Sequence, residues 1–323
     1  MNFDFSDEDK LVQAQISRFL SENCGFEEFR ALLEGPSAYS QKVWRGLSEM
    51  GVQGTAISNA YGGAQAGYLA LCLAARELGA HLAPIPFSSS IYLAAEAIQC
   101  FGSEAQKQQW LPKLASGSKI GIFAVTESVQ EPAPEDINST FARGRLNGKK
   151  LVVPHGLEAD LAIVLARTTE GLSLVLVTLE DVQKQSIETV DPTMSSATIL
   201  FQDSQAELLG ESHDGWSAMS AVYNRAAVMF AFEQLGGAER ALDMAVKYAK
   251  ERFAFGRPIG SFQALKHMMA DMYVAVKLAE SNCYYAAWAL ENESDDLPLA
   301  AATARVSATQ AFQLCSRDNI QVH

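Results

Sequence analysis

Apolar positions recur with a helical period at both ends of the chain and with a strand-like period in its middle. Near the start, Val12, Ile16, Phe19 and Leu20 fall on one helical face, and Ser6 with Asp9 has the spacing of a capping box. A second helix is predicted from Ser40 to Met50, presenting Trp44 and Leu47 and stopped by Gly51. A third covers Leu69 to Leu78 and ends before Gly79 and the Pro84/Pro86 pair, and Ser103 with Gln106 opens a fourth that ends near Gly117. Short β-rich runs follow at Ile120 to Thr126, Leu151 to Val153, Ala162 to Leu165, Leu172 to Leu179 and Thr198 to Phe201. Asn147-Gly148 reads as a turn between strands, and the Pro- and acid-rich stretch Val129 to Asn138 as an exposed loop. From Gly215 onward the pattern is helical again and strongly apolar. Helices, short antiparallel strands, then helices predict an α+β fold, mainly α. A Rossmann fold, which needs alternating βα units, is argued against.

Composition narrows the function. The 323 residues suffice for a full core, and 48% hydrophobic content is that of a globular chain. A net charge of −13 argues against nucleic acid, which calls for a basic footprint. An anionic ligand would then need a local basic patch against a repulsive background. No apolar run reaches bilayer-spanning length, and Met1-Asn-Phe-Asp-Phe lacks a basic leader, so a cytoplasmic protein without a membrane partner is expected. The five cysteines are scattered without a C-x-x-C pair, and the five histidines lie far apart, so neither a metal site nor a disulfide framework is expected.

One segment carries more chemistry than the rest: Arg252-Phe-Ala-Phe-Gly-Arg-Pro-Ile-Gly-Ser-Phe-Gln263, which follows the long apolar helix. An arginine offers a rigid fork to a pyrophosphate, Gly256 allows close backbone approach, and Gln263 can pair with a base edge or ribose. A helix-ending turn with an exposed arginine is the plain alternative.

Further segments share an order with it: Trp110-Leu-Pro-Lys-Leu-Ala-Ser-Gly117, Phe123-Ala-Val-Thr-Glu127, Asn147-Gly-Lys-Lys150, Ala159-Asp-Leu-Ala-Ile-Val164, Leu208-Leu-Gly210, Gly215-Trp216, Ala270-Asp-Met272 and Gln321-Val-His323. In that order the chain resembles the acyl-CoA dehydrogenase family of FAD-dependent flavoproteins over nearly its whole length. The resemblance implies an N-terminal helical domain (1–117), a middle β-barrel-like domain (118–207) and a C-terminal helical domain (208–323) expected to be cut short within its bundle. It implies an acyl-CoA substrate, oxidation to the 2-enoyl-CoA, an electron-transfer flavoprotein as acceptor, and a homo- or hetero-oligomer built as a dimer of dimers. Phe123, Val125 and Thr126 match the strand facing the isoalloxazine. Arg252, Phe255 and Gln263 match the segment reaching the flavin of a neighbouring subunit, and Gln321 the start of the Gln-x-x-Gly-Gly loop.

Removing an α-proton beside a thioester needs a carboxylate base. In relatives it lies either beyond the Gln-x-x-Gly-Gly loop, outside this chain, or on the long helix at the position of Ala226. The helix offers Glu233 instead, interrupting the apolar run Ala226 to Phe232 and followed by Gly236 and Gly237. Glu-Gln-Leu-Gly-Gly-Ala resembles the heteromeric branch acting on CoA esters of steroid side chains. Glu233 as catalytic base, Glu233 as a structural partner of Arg225, Arg240 or a partner's residue, and a base elsewhere all stay open. Two departures weigh on the flavin site. Ser128-Val-Gln-Glu-Pro-Ala-Pro-Glu-Asp136 replaces the family's Gly-Ser-Asp turn, and Val153-Pro-His155 replaces its Ile-Thr-Asn, removing a backbone donor. A non-catalytic partner subunit that completes another chain's flavin site is therefore the alternative function, and an acyl-CoA oxidase a third.

Overall fold

The computed structural model describes residues 6–35, 38–211 and 214–323. Met1 to Phe5, read above for a leader, and His213 lie outside them. The helices are α1 (Asp7–Asn23), α2 (Phe26–Glu34), α3 (Gln41–Glu49), α4 (Gly67–Ala80), α5 (Glu96–Phe101), α6 (Glu104–Ala115), α7 (Gly215–Glu251), α8 (Gln263–Glu291) and α9 (Leu297–Val322). The strands are β1 (Gly121–Ala124), β2 (Thr140–Ala142), β3 (Arg145–Pro154), β4 (Leu161–Arg167), β5 (Leu172–Thr178), β6 (Gln183–Ile187), β7 (Ser196–Leu208), β8 (Phe253–Ala254) and β9 (Arg257–Pro258). No helix among the described residues is long and apolar enough to cross a membrane.

The chain forms two compact units. One holds the residues up to Cys24, Gly67–Ala83 and Ala227–His323; the other holds Gly25–Ala66 and Pro84–Ala226, so α7 contributes to both.

In the strand-bearing unit, pairings β4–β5, β5–β7, β7–β3, β3–β2 and β2–β4 close on themselves, with β1 added beside β4 and β6 beside β7. β1 and β2 both run parallel to β4, which corrects the all-antiparallel expectation. Local pattern cannot reveal such pairings, because the partners, such as Gly121↔Leu161 and Thr140↔Arg167, lie far apart in sequence. Asn147-Gly148 is not a turn. The β2–β3 hairpin turns at Arg143-Gly144, both with positive φ, while Gly148 marks a register shift inside β3 and packs against Ser139. Both capping boxes form, at Ser6/Asp9 and Ser103/Gln106, and Ser40 caps α3. Helices α2 and α5, the π-helical stretch Ser88–Ala95 and strands β2 and β6 are additions to the sequence reading. The core joins Trp110, Leu111 and Leu114 of α6 to Phe123, Leu161, Ile163 and Leu176 of the sheet and to Met219 and Val222 of α7. Gly215 is required there, since a Cβ would lie 2.6 Å from the Ser173 backbone. The 129–138 stretch is a loop, but Ile137 within it is buried in this core.

In the other unit, α1, α4, α8, α9 and the rest of α7 pack as a helical group. α4 does not stop before Gly79 but runs through it to Ala80. The glycine serves packing, because a Cβ there would overlap the Glu233 carbonyl, and one at Gly236 would overlap the Arg76 carbonyl. Helices α4 and α7 thus meet backbone to backbone. Arg76 fastens the crossing with a two-pronged bond to Glu239 (2.6 and 2.7 Å) and a longer contact to Glu280 of α8 (3.4 Å). Cys72, Cys283 and Cys315 are buried, Cys24 is half-buried and Cys100 exposed, and none of the five is in a disulfide.

Candidate active site

The residues expected at the site fall into two groups, one in each unit.

In the strand-bearing unit, Phe123 (on β1) and Val125 are buried and Thr126 is half-buried. Phe123 meets Tyr223 of α7 edge to face, with centroids 5.6 Å apart. Burial pushes the Tyr223 phenol up to about 12, so it remains a neutral hydrogen-bonding group. The peptide after β1 is held from behind. Lys150 of β3 is fully buried, and its ammonium donates to the carbonyls of Val125 (2.9 Å) and Leu165 (2.7 Å) and to Glu127 Oε1 (2.6 Å). Burial pulls Lys150 down to about 8 while Glu127 works against that shift. Burial also opposes ionisation of Glu127, but Lys150 and the Ser139 and Asn138 donors outweigh it and hold the carboxyl below its ordinary value. Glu127 is therefore half of an ion pair. On its far side a polar cavity of about 390 Å³ is lined by Glu127, Ser128, Asn138, Ser139, Gly148 and Lys149.

The departure at Val153-Pro-His155 has a structural consequence. Pro154 has no N–H to offer, and the His155 ring is turned inward, 4% exposed, with Nδ1 2.9 Å from Ser89 Oγ. Burial drops its pKa to about 4, so it is neutral.

In the helical unit, Glu233 is half-buried. The cation facing it is Arg305 of α9. Burial holds Arg305 below its usual pKa while the Glu233 charge pulls the other way. Arg305 also lies over the Phe230 ring at 5.4 Å. The arginines suggested by sequence are otherwise engaged: Arg225 pairs with Glu96 in the strand-bearing unit, and Arg240 is exposed. Gly236 and Gly237 admit the Arg76 carbonyl and the Phe312 ring rather than a ligand.

The Arg252 motif is an exposed hairpin, β8–β9, turning at Phe255-Gly256 with φ of 51° and 78°. Phe255 is 94% exposed, meets Phe262 edge to face, and Arg257 covers the Phe262 ring at 4.2 Å. The Arg252 guanidinium and Gln263 amide are exposed, without an ion pair or hydrogen bond among the described residues. Beside them, Ser261 Oγ is buried with no partner. Gln321 is exposed on the last turn of α9 rather than in a loop. Eighteen residues of helix separate Glu233 from Arg252, roughly 28 Å along α7.

Sequence reading missed Lys150, Tyr223, His155 and Arg305. Lys150 shares strand parity with buried Leu146, a signal masked because charged residues are expected outside. Arg305 carries no local signal, since only the α7–α9 packing brings it to Glu233.

The profile of the acyl-CoA dehydrogenase N-terminal domain matches residues 6–118, and that of the C-terminal domain residues 213–323. The acyl-CoA dehydrogenase FadE27 of Mycobacterium tuberculosis is 31% identical over 282 residues, covering 84% of this chain and 72% of that protein. The crystal structure of the ChsE4-ChsE5 complex from Mycobacterium tuberculosis superposes with a TM-score of 0.91 at 28% identity, over 100% of this chain and 88% of that one. A structure of the steroid ACAD Tcur3481-Tcur3483 gives 0.88 at 29%, over 98% and 87%. The chain belongs to the acyl-CoA dehydrogenase family, FAD-dependent oxidoreductases acting on CH–CH groups.

The residues present fit FAD. An arginine fork lacking a carboxylate partner, an exposed amide and an orphaned buried hydroxyl suit a dinucleotide's phosphates and base. The Phe123–Tyr223 wall with the Thr126 hydroxyl suits a flat ring.

Proposed function

We propose that this chain is a subunit of a heteromeric acyl-CoA dehydrogenase acting on a CoA ester of a steroid-derived chain, with Glu233 as the α-proton base. The observation that carries the base assignment is the placement of Glu233. It is half-buried on α7 within an apolar stretch, its backbone seated on Gly79, with Arg305 opposite. Arg305 favours the ionised carboxylate, the form that can accept a proton. Two hydrogens leave the substrate. The α-hydrogen goes as a proton to a Glu233 carboxylate oxygen, and bound FAD supplies the acceptor for the β-hydrogen as hydride. Phe123, Val125 and Thr126 would line the flavin ring, and Arg252, Phe255, Gln263 and Gln321 its dinucleotide end. The separation of roughly 28 Å between Glu233 and Arg252 supports a site shared between subunits, in which this hairpin serves a neighbour's flavin. Exposed apolar side chains on α8 (Tyr273, Val274, Leu278) and α9 (Leu299, Val306, Ile320) support assembly as a dimer of dimers. The names of the FadE27, ChsE4-ChsE5 and steroid ACAD relatives support the substrate class and the pairing of unlike subunits. Electrons would pass to an electron-transfer flavoprotein; peroxide formation instead would mark an oxidase.

Glu233→Gln tests the base. The variant should keep its flavin while substrate-driven bleaching slows by about 10²–10⁴-fold; bleaching at the wild-type rate would remove Glu233 from the mechanism.

A second reading, a partner subunit without its own complete flavin site, is favoured by one observation. Pro154 has no N–H, the His155 N–H is taken by the Ser195 carbonyl (2.8 Å), and the His155 ring is turned inward onto Ser89. Purified alone, such a chain is colourless yet restores flavin binding to a co-expressed homologue. A yellow, reducible protein on its own excludes it.

A further inference from the structure

β1 stops pairing with β4 at Ala124↔Val164. Beyond that point Val125, Thr126 and Glu127 leave the ladder, and one backbone bond, from Leu151 N to the Thr126 carbonyl (2.8 Å), ties them to β3. The Lys150 ammonium supplies the rest. All three of its hydrogens have acceptors: the Val125 carbonyl, the Leu165 carbonyl near the end of β4, and Glu127 Oε1. Glu127 in turn accepts from Asn138 N (2.7 Å) and Ser139 N (3.1 and 3.2 Å), where the long loop returns to β2. A single buried cation therefore fastens the exit of β1, the end of β4 and the loop's return. For stability alone, an apolar pair of similar volume often does as well as a buried ion pair. What an apolar pair cannot do is fix a carbonyl in place by direction.

We propose that Lys150 is a positioning residue for the flavin-facing edge of the sheet, fixing Val125 and Thr126 against β4 through its three directed bonds. The proposal rests on the reading of Phe123, Val125 and Thr126 as the residues facing the cofactor. It assigns no contact between Lys150 and flavin or substrate; Lys150 acts through the peptide it holds.

Removing the lysine alone strands the Glu127 charge in a buried setting, so Lys150→Met is expected to unfold and is uninformative by itself. The decisive variant is the double change Lys150→Met with Glu127→Gln, which leaves no buried charge and keeps acceptors for the Asn138 and Ser139 amides. It should melt near the native temperature. Deuterium exchange in a peptide covering residues 123–128 should nevertheless quicken at least tenfold, and the Kd for FAD should rise at least tenfold with an altered visible flavin band. Glu127→Gln alone does not strand a charge in the same way, because burial already holds Lys150 near 8 and the neutral amine still has two N–H for the Val125 and Leu165 carbonyls, so it should fold and keep exchange slow. Native-like exchange in the folded double variant overturns the proposal. So does Glu127→Gln releasing the segment as fully as loss of the lysine, and this arm decides if the double variant does not fold. A wild-type chain that binds no FAD sinks the flavin reading, while the exchange comparison still settles the role of Lys150.

Discussion

The two groups of site residues are built in opposite ways. Around Val125 the ionisable side chains are inside and answered: Lys150 is fully buried with three acceptors, Glu127 has Lys150 and two amides, and His155 has Ser89. Around Arg252 the guanidinium, the Gln263 amide and the Phe255 ring are outside. Arg252 and Gln263 lack partners among the described residues, and Phe255 stands 94% exposed. Buried polar groups that are fully satisfied hold one geometry, because any displacement leaves a charge or a donor desolvated. Exposed, unpaired donors beside bare rings hold no such geometry and gain their bonds only from something else. The first arrangement is a prepared surface and the second a hand extended to a ligand or another subunit.

The contrast can be broken first on the buried side, with acid. His155 titrates near 4 in the folded chain, against 6.5 for an unperturbed imidazole. Between those values the unfolded chain binds a proton that the folded one refuses, so stability is intact above pH 6.5 and falls as the pH drops toward 4. The loss amounts to about 3 kcal/mol. Denaturant melts at pH 7, 5.5 and 4 should show it, and His155→Asn, which tolerates the positive φ of this position, should flatten the slope across that window. The Lys150–Glu127 pair does not mimic this effect between pH 7 and 5.5, because the Glu127 carboxyl lies below its ordinary value of 4.5 and its contribution starts to fall only beneath that pH. An unchanged slope in His155→Asn would mean that the imidazole is solvated.

The exposed side answers to a different change. Arg252→Ala should leave the melting temperature within error, since the guanidinium bonds nothing among the described residues. On the proposed reading it should weaken FAD binding by about 10–100-fold, the worth of roughly 1.5–3 kcal/mol for hydrogen bonds to a charged group. A drop in stability with flavin affinity unchanged would reverse the comparison.

How much of this was legible in the sequence follows the same division. Exposed and terminal features carry local signals. The capping boxes at Ser6 and Ser103, the cap at Ser40, and the Arg252–Gln263 motif were all readable from neighbours in the chain. The satisfied interior carries almost none. Lys150 looks like a surface lysine until its strand parity is known, and Arg305 reaches Glu233 only once α7 and α9 have packed. Gly79 and Gly148 were misread for one reason: glycine marks a stop or turn in isolation, yet here each admits a neighbour, the Glu233 backbone in one case and Ser139 in the other. The parallel pairing of β1 with β4 is likewise a long-range fact, invisible to any window of local pattern.

The smallest expected effect lies at the hairpin tip, and it separates backbone conformation from packing. Gly236 and Gly256 are both glycines near functional residues, but a Cβ at Gly236 would overlap the Arg76 carbonyl, whereas one at Gly256 would meet nothing within 4 Å. Gly256 is needed only because φ is +78° there. Gly256→Ala should therefore cost about 1–2 kcal/mol of left-handed strain. The strain falls on a two-strand hairpin whose opening need not unfold the helices. It should appear as faster exchange at residues 252–258 with little change in the global melt. Gly256→Asn, which tolerates this conformation better, should recover most of the protection. If alanine at this position instead lowers global stability as strongly as alanine at Gly236, the hairpin is part of the packed helical group, and its exposed Arg252 and Phe255 are positioned by that packing rather than left for a partner.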